Sequence, residues 1–358
     1  MKYLKYPHEY CPYCYSKINV PTEYYCNACG KIASEKNNGF NVSDKGLPLC
    51  TCGNGAMIIR CTNEKCRNSI NIIPPERTAI VLIAGMANSG KSTFLLDVVR
   101  SQSSSTNVLV YPKSHALVEW KTNSLNIMKN NGDLDSTVPE NDNFSSVVNM
   151  QILGRKEELC LSLTDRPGEE TQDLNKMLGL NYVFCADYII LLIDLLNIPG
   201  IKGELKAKGV EFRDETDDEP NINAIDNIIN AVENKRGKYG RKIPFMVGIS
   251  KWDYVEQADL CPPGFSIGCN GSDLSSVLGV NKKFDSKKWK SNTKSIRNFL
   301  ITHNEAEVVN KLENYFKDVS YFAFSSYGSV PKGTLSPIHS PRHIMDPFYR
   351  ILHDKHMI

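Results

Sequence analysis

The chain has 358 residues, of which 41% are apolar and 23% charged, with 42 Lys and Arg against 40 Asp and Glu. These proportions exclude a disordered or fibrous chain, and the length suits two or three folding units. Twelve cysteines are too few for a disulfide scaffold, yet eight of them precede residue 67. The first ten residues have neither the apolar run nor the small-residue site of a signal peptide. The apolar stretches 79–84 and 188–196 fall far short of the ~20 residues that span a bilayer. A cytoplasmic location with no membrane partner is expected.

The eight early cysteines form four pairs: Cys11/Cys14, Cys26/Cys29, Cys50/Cys52 and Cys61/Cys66. In a reducing compartment such clusters hold metal more often than they form disulfides. Four thiolates complete a tetrahedral zinc site, and C-x-x-C puts two sulfurs on one turn. The first two pairs carry the stronger signal, Cys-Pro-Tyr-Cys and Cys-Asn-Ala-Cys-Gly, where Gly30 can adopt positive φ. Looser spacing in the other two still supports a second zinc. The region resembles zinc ribbons over residues 1–75, which implies two structural Zn²⁺ ions; which pairs combine stays open. All-cysteine sites leave no ligand position for water, so zinc catalysis is not expected. Residues 1–75 also carry nine Lys and Arg against five Asp and Glu, and seven tyrosines fall within the first 25 residues. Such rings and charges can bind nucleic acid, but filling a small metal-centred core is the favoured reading.

Pro74-Pro75 marks a linker. Residues 78–84 then read as a buried strand and 93–100 as a helix. Between them Gly85-Met86-Ala87-Asn88-Ser89-Gly90-Lys91-Ser92 fits G-x-x-x-x-G-K-[ST]. Gly85 and Gly90 let backbone N–H groups curl around phosphate at a helix N-terminus. Lys91 is expected to reach the β- and γ-phosphates and Ser92 to ligate Mg²⁺, with Asn88, Ser89 and Thr93 completing the nucleotide contacts.

Residues 146–153 and 158–164 read as a β-hairpin that ends at Asp165-Arg166-Pro167-Gly168. Residues 188–194 form the next buried strand, and 245–249 another that runs into Ser250-Lys251-Trp252-Asp253. A last strand, 319–324, leads to Ser325-Ser326. In this order the motifs resemble those of Ras-like GTPases over residues 77–358. The resemblance implies a P-loop α/β sheet flanked by helices, with each motif at the C-terminal end of a strand. It implies that Asp165 holds Mg²⁺ through water, that the Gly168 amide senses the γ-phosphate, and that Ser325 and Ser326 lie where a backbone amide reads guanine O6. Asp253 would accept bonds from N1–H and the 2-amino group of guanine while the Lys251 stem covers the base. Ser250 stands where asparagine is usual, which loosens the link to the phosphate loop. Together with His343-Ile344-Met345-Asp346-Pro347-Phe348, the motifs resemble the double-GTPase group of bacterial conflict and antiviral systems.

Thr137 is the first candidate for the switch threonine, with Ser145 and Ser146 behind it. Glu169 occupies the place of a water-orienting glutamine; a carboxylate can accept from water but cannot donate to the phosphoryl group, so slow hydrolysis is expected. The expected organisation is a zinc-ribbon module at 1–75 and a GTPase domain at 77–358, enlarged at about 101–145, 203–221 and 254–290. The expected function is a GTP/GDP switch that hydrolyses GTP, assisted by a protein partner. The alternatives are a nucleotide-bound zinc scaffold with little hydrolysis, or a P-loop ATPase with Asp194 as the metal-site carboxylate. The basic run at 282–290 beside Phe284 and Trp289 reads first as a solvated face and second as a nucleic-acid contact.

Overall fold

A computed structural model describes residues 10–18, 23–26, 28–34, 39–42, 48–53, 57–70, 77–86, 88–103, 108–113, 115–129, 145–155, 157–164, 173–179, 182–198, 200–212, 221–263, 265, 276–279, 283–328 and 340–358. The cysteine-rich region is built from six short strands, β1 (Glu23–Tyr25), β2 (Ile32–Ser34), β3 (Phe40–Val42), β4 (Pro48–Cys50), β5 (Ile58–Arg60) and β6 (Ser69–Ile70). They form a four-stranded sheet in the order β2-β1-β5-β6 and the separate pair β3-β4. The apolar centre here is small, chiefly Ile18, Tyr24, Phe40, Met57 and Ile59 among buried cysteines, the kind of core that usually depends on metal or another cross-brace. Tyr24 stacks edge-on against Phe40 at 5.0 Å. Tyr25 lies under the Arg60 guanidinium. These two rings therefore serve packing.

From residue 77 the elements are β7 (Arg77–Gly85), α1 (Lys91–Arg100), β8 (Gln102–Ser103), β9 (Val108–Pro112), α2 (His115–Lys129), β10 (Ser145–Ile152) and β11 (Glu158–Thr164). They continue as α3 (Leu174–Gly179), α4 (Tyr182–Cys185), β12 (Tyr188–Asp194), α5 (Ile201–Ala207), α6 (Asn221–Arg236) and β13 (Phe245–Ser250). The last are α7 (Asp253–Gln257), α8 (Ser286–Thr302), α9 (Ala306–Tyr315), β14 (Val319–Ala323) and α10 (Asp346–Asp354). No helix among the described residues is long and apolar enough to cross a membrane.

These strands make one eight-stranded sheet in the order β14-β13-β12-β7-β11-β10-β9-β8. The β10–β11 hairpin is antiparallel as expected, and β11, β7, β12, β13 and β14 are mutually parallel. Their near-continuous apolar sequences follow from burial on both faces. Alternate residues of β7 point to opposite sides: Leu82 and Ala84 belong to the core that also takes in α6, α8 and α9, while Ala79, Val81 and Ile83 belong to the core that takes in α1 and α10. The result is a three-layer α/β/α arrangement. Because the chain leaves β7 for β11 on one side and later enters β12 on the other, the order reverses at β7. Ligands bind at the C-terminal edge of such a switch point.

Trp289 is buried and, with Phe284 half-buried against the same core, belongs to the layer that holds α1. Asp285 caps α8, accepting from the Lys287 and Lys288 amides at 3.0 Å. The aromatic part of the 282–290 run is thus structural.

The cysteine-rich region touches the large sheet at β11. Ser162 Oγ donates to the Pro12 carbonyl at 2.6 Å and lies 3.0 Å from the Tyr15 hydroxyl. The Cys185 thiol, pushed up to about 12 chiefly by burial, points at the Tyr15 carbonyl at 3.6 Å. Ser162→Ala leaves that buried Pro12 carbonyl without its donor, at an expected cost of about 1–3 kcal/mol. Urea unfolding is expected to show this loss while bound metal stays constant.

Candidate functional site

The predicted phosphate loop joins the C-terminal end of β7 to the first turn of α1. Gly85 is required by space: a Cβ there would lie 2.6 Å from both the Leu192 carbonyl oxygen and Ser89 Oγ. Gly90 precedes α1 in left-handed geometry, φ 80°, which any side chain would strain. Asn88 also takes positive φ, 60°, and is exposed. Lys91 is buried, and its ammonium donates to the carbonyls of Gly85 at 2.9 Å and Met86 at 2.6 Å. Ser89 is fully buried with its Oγ 3.4 Å from that ammonium. Ser92 and Thr93 follow half-buried in the first turn of α1. The loop thus wraps a concentrated positive charge at a helix N-terminus, an arrangement suited to an anion.

Two strands away, β13 ends in Ser250 and α7 begins at Asp253. With ~4.8 Å between neighbouring strands, this end of β13 lies about 10 Å across the sheet from β7. Ser250 Oγ donates to the Ile193 carbonyl of β12 at 3.3 Å, so it braces the adjoining strand. Lys251 sits in left-handed geometry, φ 58°. Its ammonium bonds Asp194 Oδ2 at 2.6 Å, while Asp194 Oδ1 accepts from the Leu196 amide at 3.0 Å. Trp252 is fully buried against Phe265 and Phe299 and anchors the loop in the core.

Asp253 is buried and accepts from the Ser325 hydroxyl at 2.6 Å. Burial raises its carboxyl above the usual range, opposed by the Ser325 bond and by Arg342 and Lys251. The Ser325 loop follows β14 and is tied to the Asp253 loop a second time, Trp252 N–H donating to the Phe324 carbonyl at 3.1 Å. Ser326 faces α1, where Asp97 is wholly buried and its carboxyl is pushed up to about 8 by burial, with Arg100 and Ser326 opposing.

Gly85, Asn88, Ser89, Gly90, Lys91, Ser92 and Thr93 thus share one end of the sheet with Ser250, Lys251, Asp253, Ser325 and Ser326. Thr137, Asp165, Gly168 and Glu169 lie outside the described residues. Ser145, the second switch candidate, pairs with Thr164, directly before Asp165. Sequence reasoning missed Glu256, Gly328 and Arg342, which close around the Ser325 loop. Gly328, in positive φ after a strand, was readable as a turn; Arg342 had no local signal.

The cysteines gather into two groups, Cys11, Cys14, Cys61 and Cys66, and Cys26, Cys29, Cys50 and Cys52, with all four sulfurs of each within 4.8 Å. The outer pairs combine and the inner pairs combine, a nested arrangement. Sulfur separations of 3.5 Å for Cys14–Cys61 and 3.9 Å for Cys11–Cys66 recur in the inner group as 3.5 Å for Cys29–Cys50 and 3.7 Å for Cys26–Cys52. Tetrahedral bonds of ~2.3 Å to zinc require edges of about 3.8 Å, so both groups fit the ion. The residue after each pair, Tyr15, Gly30, Gly53 and Arg67, has positive φ. That common turn folds the backbone around the sulfurs, and only Gly30 was anticipated. In the outer group, Asn63 Nδ2 donates to Cys14 Sγ and Asn68 Nδ2 to Cys66 Sγ, a polar support for thiolate.

No family model matches the chain, and no curated protein matches it. Among solved structures, the Arl6 BBS3 small GTPase of Trypanosoma brucei with bound nucleotide analogue GppNp is similar at 14% identity, covering 72% of this chain and 91% of that chain, with a TM-score of 0.30.

Nesting sets a specific zinc count. Cys14→Ser with Cys61→Ser damages one site, so native mass spectrometry is expected to find one zinc retained; Cys14→Ser with Cys29→Ser damages both, and none is expected.

Proposed function

We propose that the chain is a GTP-binding switch that hydrolyses GTP to GDP and phosphate, fused to a module held by two structural zinc ions. The observation that carries this reading is the Ser325–Asp253 bond. It joins two loops at the same sheet end as a phosphate loop, about two strand spacings away. A purine nucleotide laid along that edge meets the loop amides and Lys91 at its phosphates and Asp253 at its base. An ionised Asp253 accepts from N1–H and the 2-amino group of guanine, a donor pair that adenine lacks.

Asp194 argues against the ATPase alternative. Its two oxygens are engaged by Lys251 and the Leu196 amide, which makes it a support for the base-reading loop. For hydrolysis, Lys91 turns from the loop carbonyls to the β- and γ-phosphates and stabilises negative charge as the bond to the γ-phosphoryl group breaks. Ser92 and, through water, Asp165 would hold Mg²⁺, which when bound would supply positive charge against the phosphates. Glu169 can orient an attacking water only as an acceptor, so slow turnover and a partner that accelerates it are part of the proposal. The motif set resembles the double-GTPase group, which supports a setting in bacterial defence.

Single-turnover assays with magnesium are expected to show phosphate release from GTP well above that from ATP. Lys91→Ala is expected to lower the GTP rate by about 10²-fold or more. Tightly bound GTP with no phosphate release would favour the scaffold reading, and equal rates with ATP would remove the guanine assignment.

A further inference from the structure

The Ser325 loop is held from behind by a strip of chain, just before His343, that belongs to none of the sequence motifs. Arg342 and Ser325 exchange backbone hydrogen bonds at 2.7 and 3.2 Å, and the Ser340 amide donates to the Tyr327 carbonyl at 3.1 Å. The Arg342 side chain, 8% exposed, reaches under this turn. Its Nη2 donates to the Gly328 carbonyl at 2.6 Å and pairs with Glu256 Oε2 at 2.6 Å. Gly328 N–H in turn donates to Ser325 Oγ at 2.7 Å, the same oxygen that bonds Asp253. Glu256 stands three residues after Asp253, one turn along α7. The contacts therefore close a ring: Asp253, Ser325, Gly328, Arg342, Glu256 and back through α7 to Asp253.

We propose that Arg342 is a positioning residue for guanine recognition, holding the 325–328 turn so that its backbone amides and the Asp253 carboxylate face the base together. This rests on reading the site as a guanine-nucleotide site. Three features support it. Gly328 cannot be replaced in place, since its φ is 74° and a Cβ would strike the Ser340 backbone; the turn has one shape, and Arg342 holds its carbonyl. Second, Arg342 Nε and Glu256 Oε1 are buried without a further hydrogen-bond partner among the described residues. A buried ion pair left incompletely bonded is a poor source of stability, so stability alone does not account for it, whereas fixing a turn does. Third, one guanidinium nitrogen bonds both the Glu256 carboxylate of α7 and the Gly328 carbonyl, so a single side chain ties the helix that begins at Asp253 to the turn that follows Ser325.

The ring is built on the base-reading loops beyond β13 and β14, two strands or more across the sheet from β7, so its loss is expected to change base discrimination and leave phosphate binding intact. The test is the affinity of fluorescently labelled GDP and ADP for the wild-type chain, Arg342→Met, and the double variant Glu256→Met with Arg342→Met. The double variant buries no lone charge and carries the test if the single variant does not fold. Both variants are expected to bind GDP about tenfold more weakly, the worth of one hydrogen bond, with ADP affinity within about twofold of wild type. Equal weakening toward both nucleotides would reduce Arg342 to a general structural residue and overturn the proposal, as would an unchanged GDP affinity. A wild-type chain with no preference for GDP would instead overturn the guanine reading itself, and this proposal with it.

Discussion

The hydrogen bond from Ser325 to Asp253 joins the ends of two neighbouring parallel strands. Each loop alone is a short irregular connection whose backbone has no regular partner. Joined, they share one geometry: Asp253 is fixed by a hydroxyl, the hydroxyl is fixed by the Gly328 amide, and Trp252 is fixed by the Phe324 carbonyl. An acceptor buried this deeply costs free energy unless it is bonded. The surrounding Lys251 and Arg342 are the charges that make a carboxylate tolerable there.

The sheet beneath makes such a junction possible. Parallel strands end on one side, and the reversal of order at β7 leaves a crevice there. Gly85 lets β7 approach the Leu192 backbone closely enough for the phosphate loop to begin at that edge. In β13, Gly248 leaves room for the Phe322 ring, whose place a Cβ would occupy. On the opposite side of β7, Ser162 and Tyr15 join β11 to the cysteine-rich region. That contact stands three residues before Asp165. The turn after Cys14, whose sulfur group could hold a metal ion, is therefore seated on the strand that leads into the predicted Mg²⁺ and γ-phosphate motif.

Features encoded by local spacing were legible in the sequence. The glycine-rich turn between β7 and α1, the β10–β11 hairpin and the apolar strands need only neighbouring residues to define them, and the fold class followed from their order. Cys-x-x-Cys likewise pointed to the sulfur groups that could hold metal. What could not be read is set by contacts between distant segments. The nested partnership of Cys11/Cys14 with Cys61/Cys66 depends on how β1 pairs with β5, and spacing within a pair carries no record of it. The Lys251 ammonium reaches Asp194, which sequence alone offered as a metal ligand in the alternative reading. Arg342 is 89 residues from Asp253, and its role exists only once Ser325 pairs with it.

The central claim is that Asp253 reads the base as an acceptor. An asparagine amide at the same place presents a donor, which suits the C2 carbonyl of xanthine in place of the 2-amino group of guanine. Titration of the wild-type and Asp253→Asn chains with GDP and xanthosine diphosphate tests this directly. The account predicts that the wild type prefers GDP and that the variant reverses the preference. A variant whose preference between the two is unchanged would contradict it.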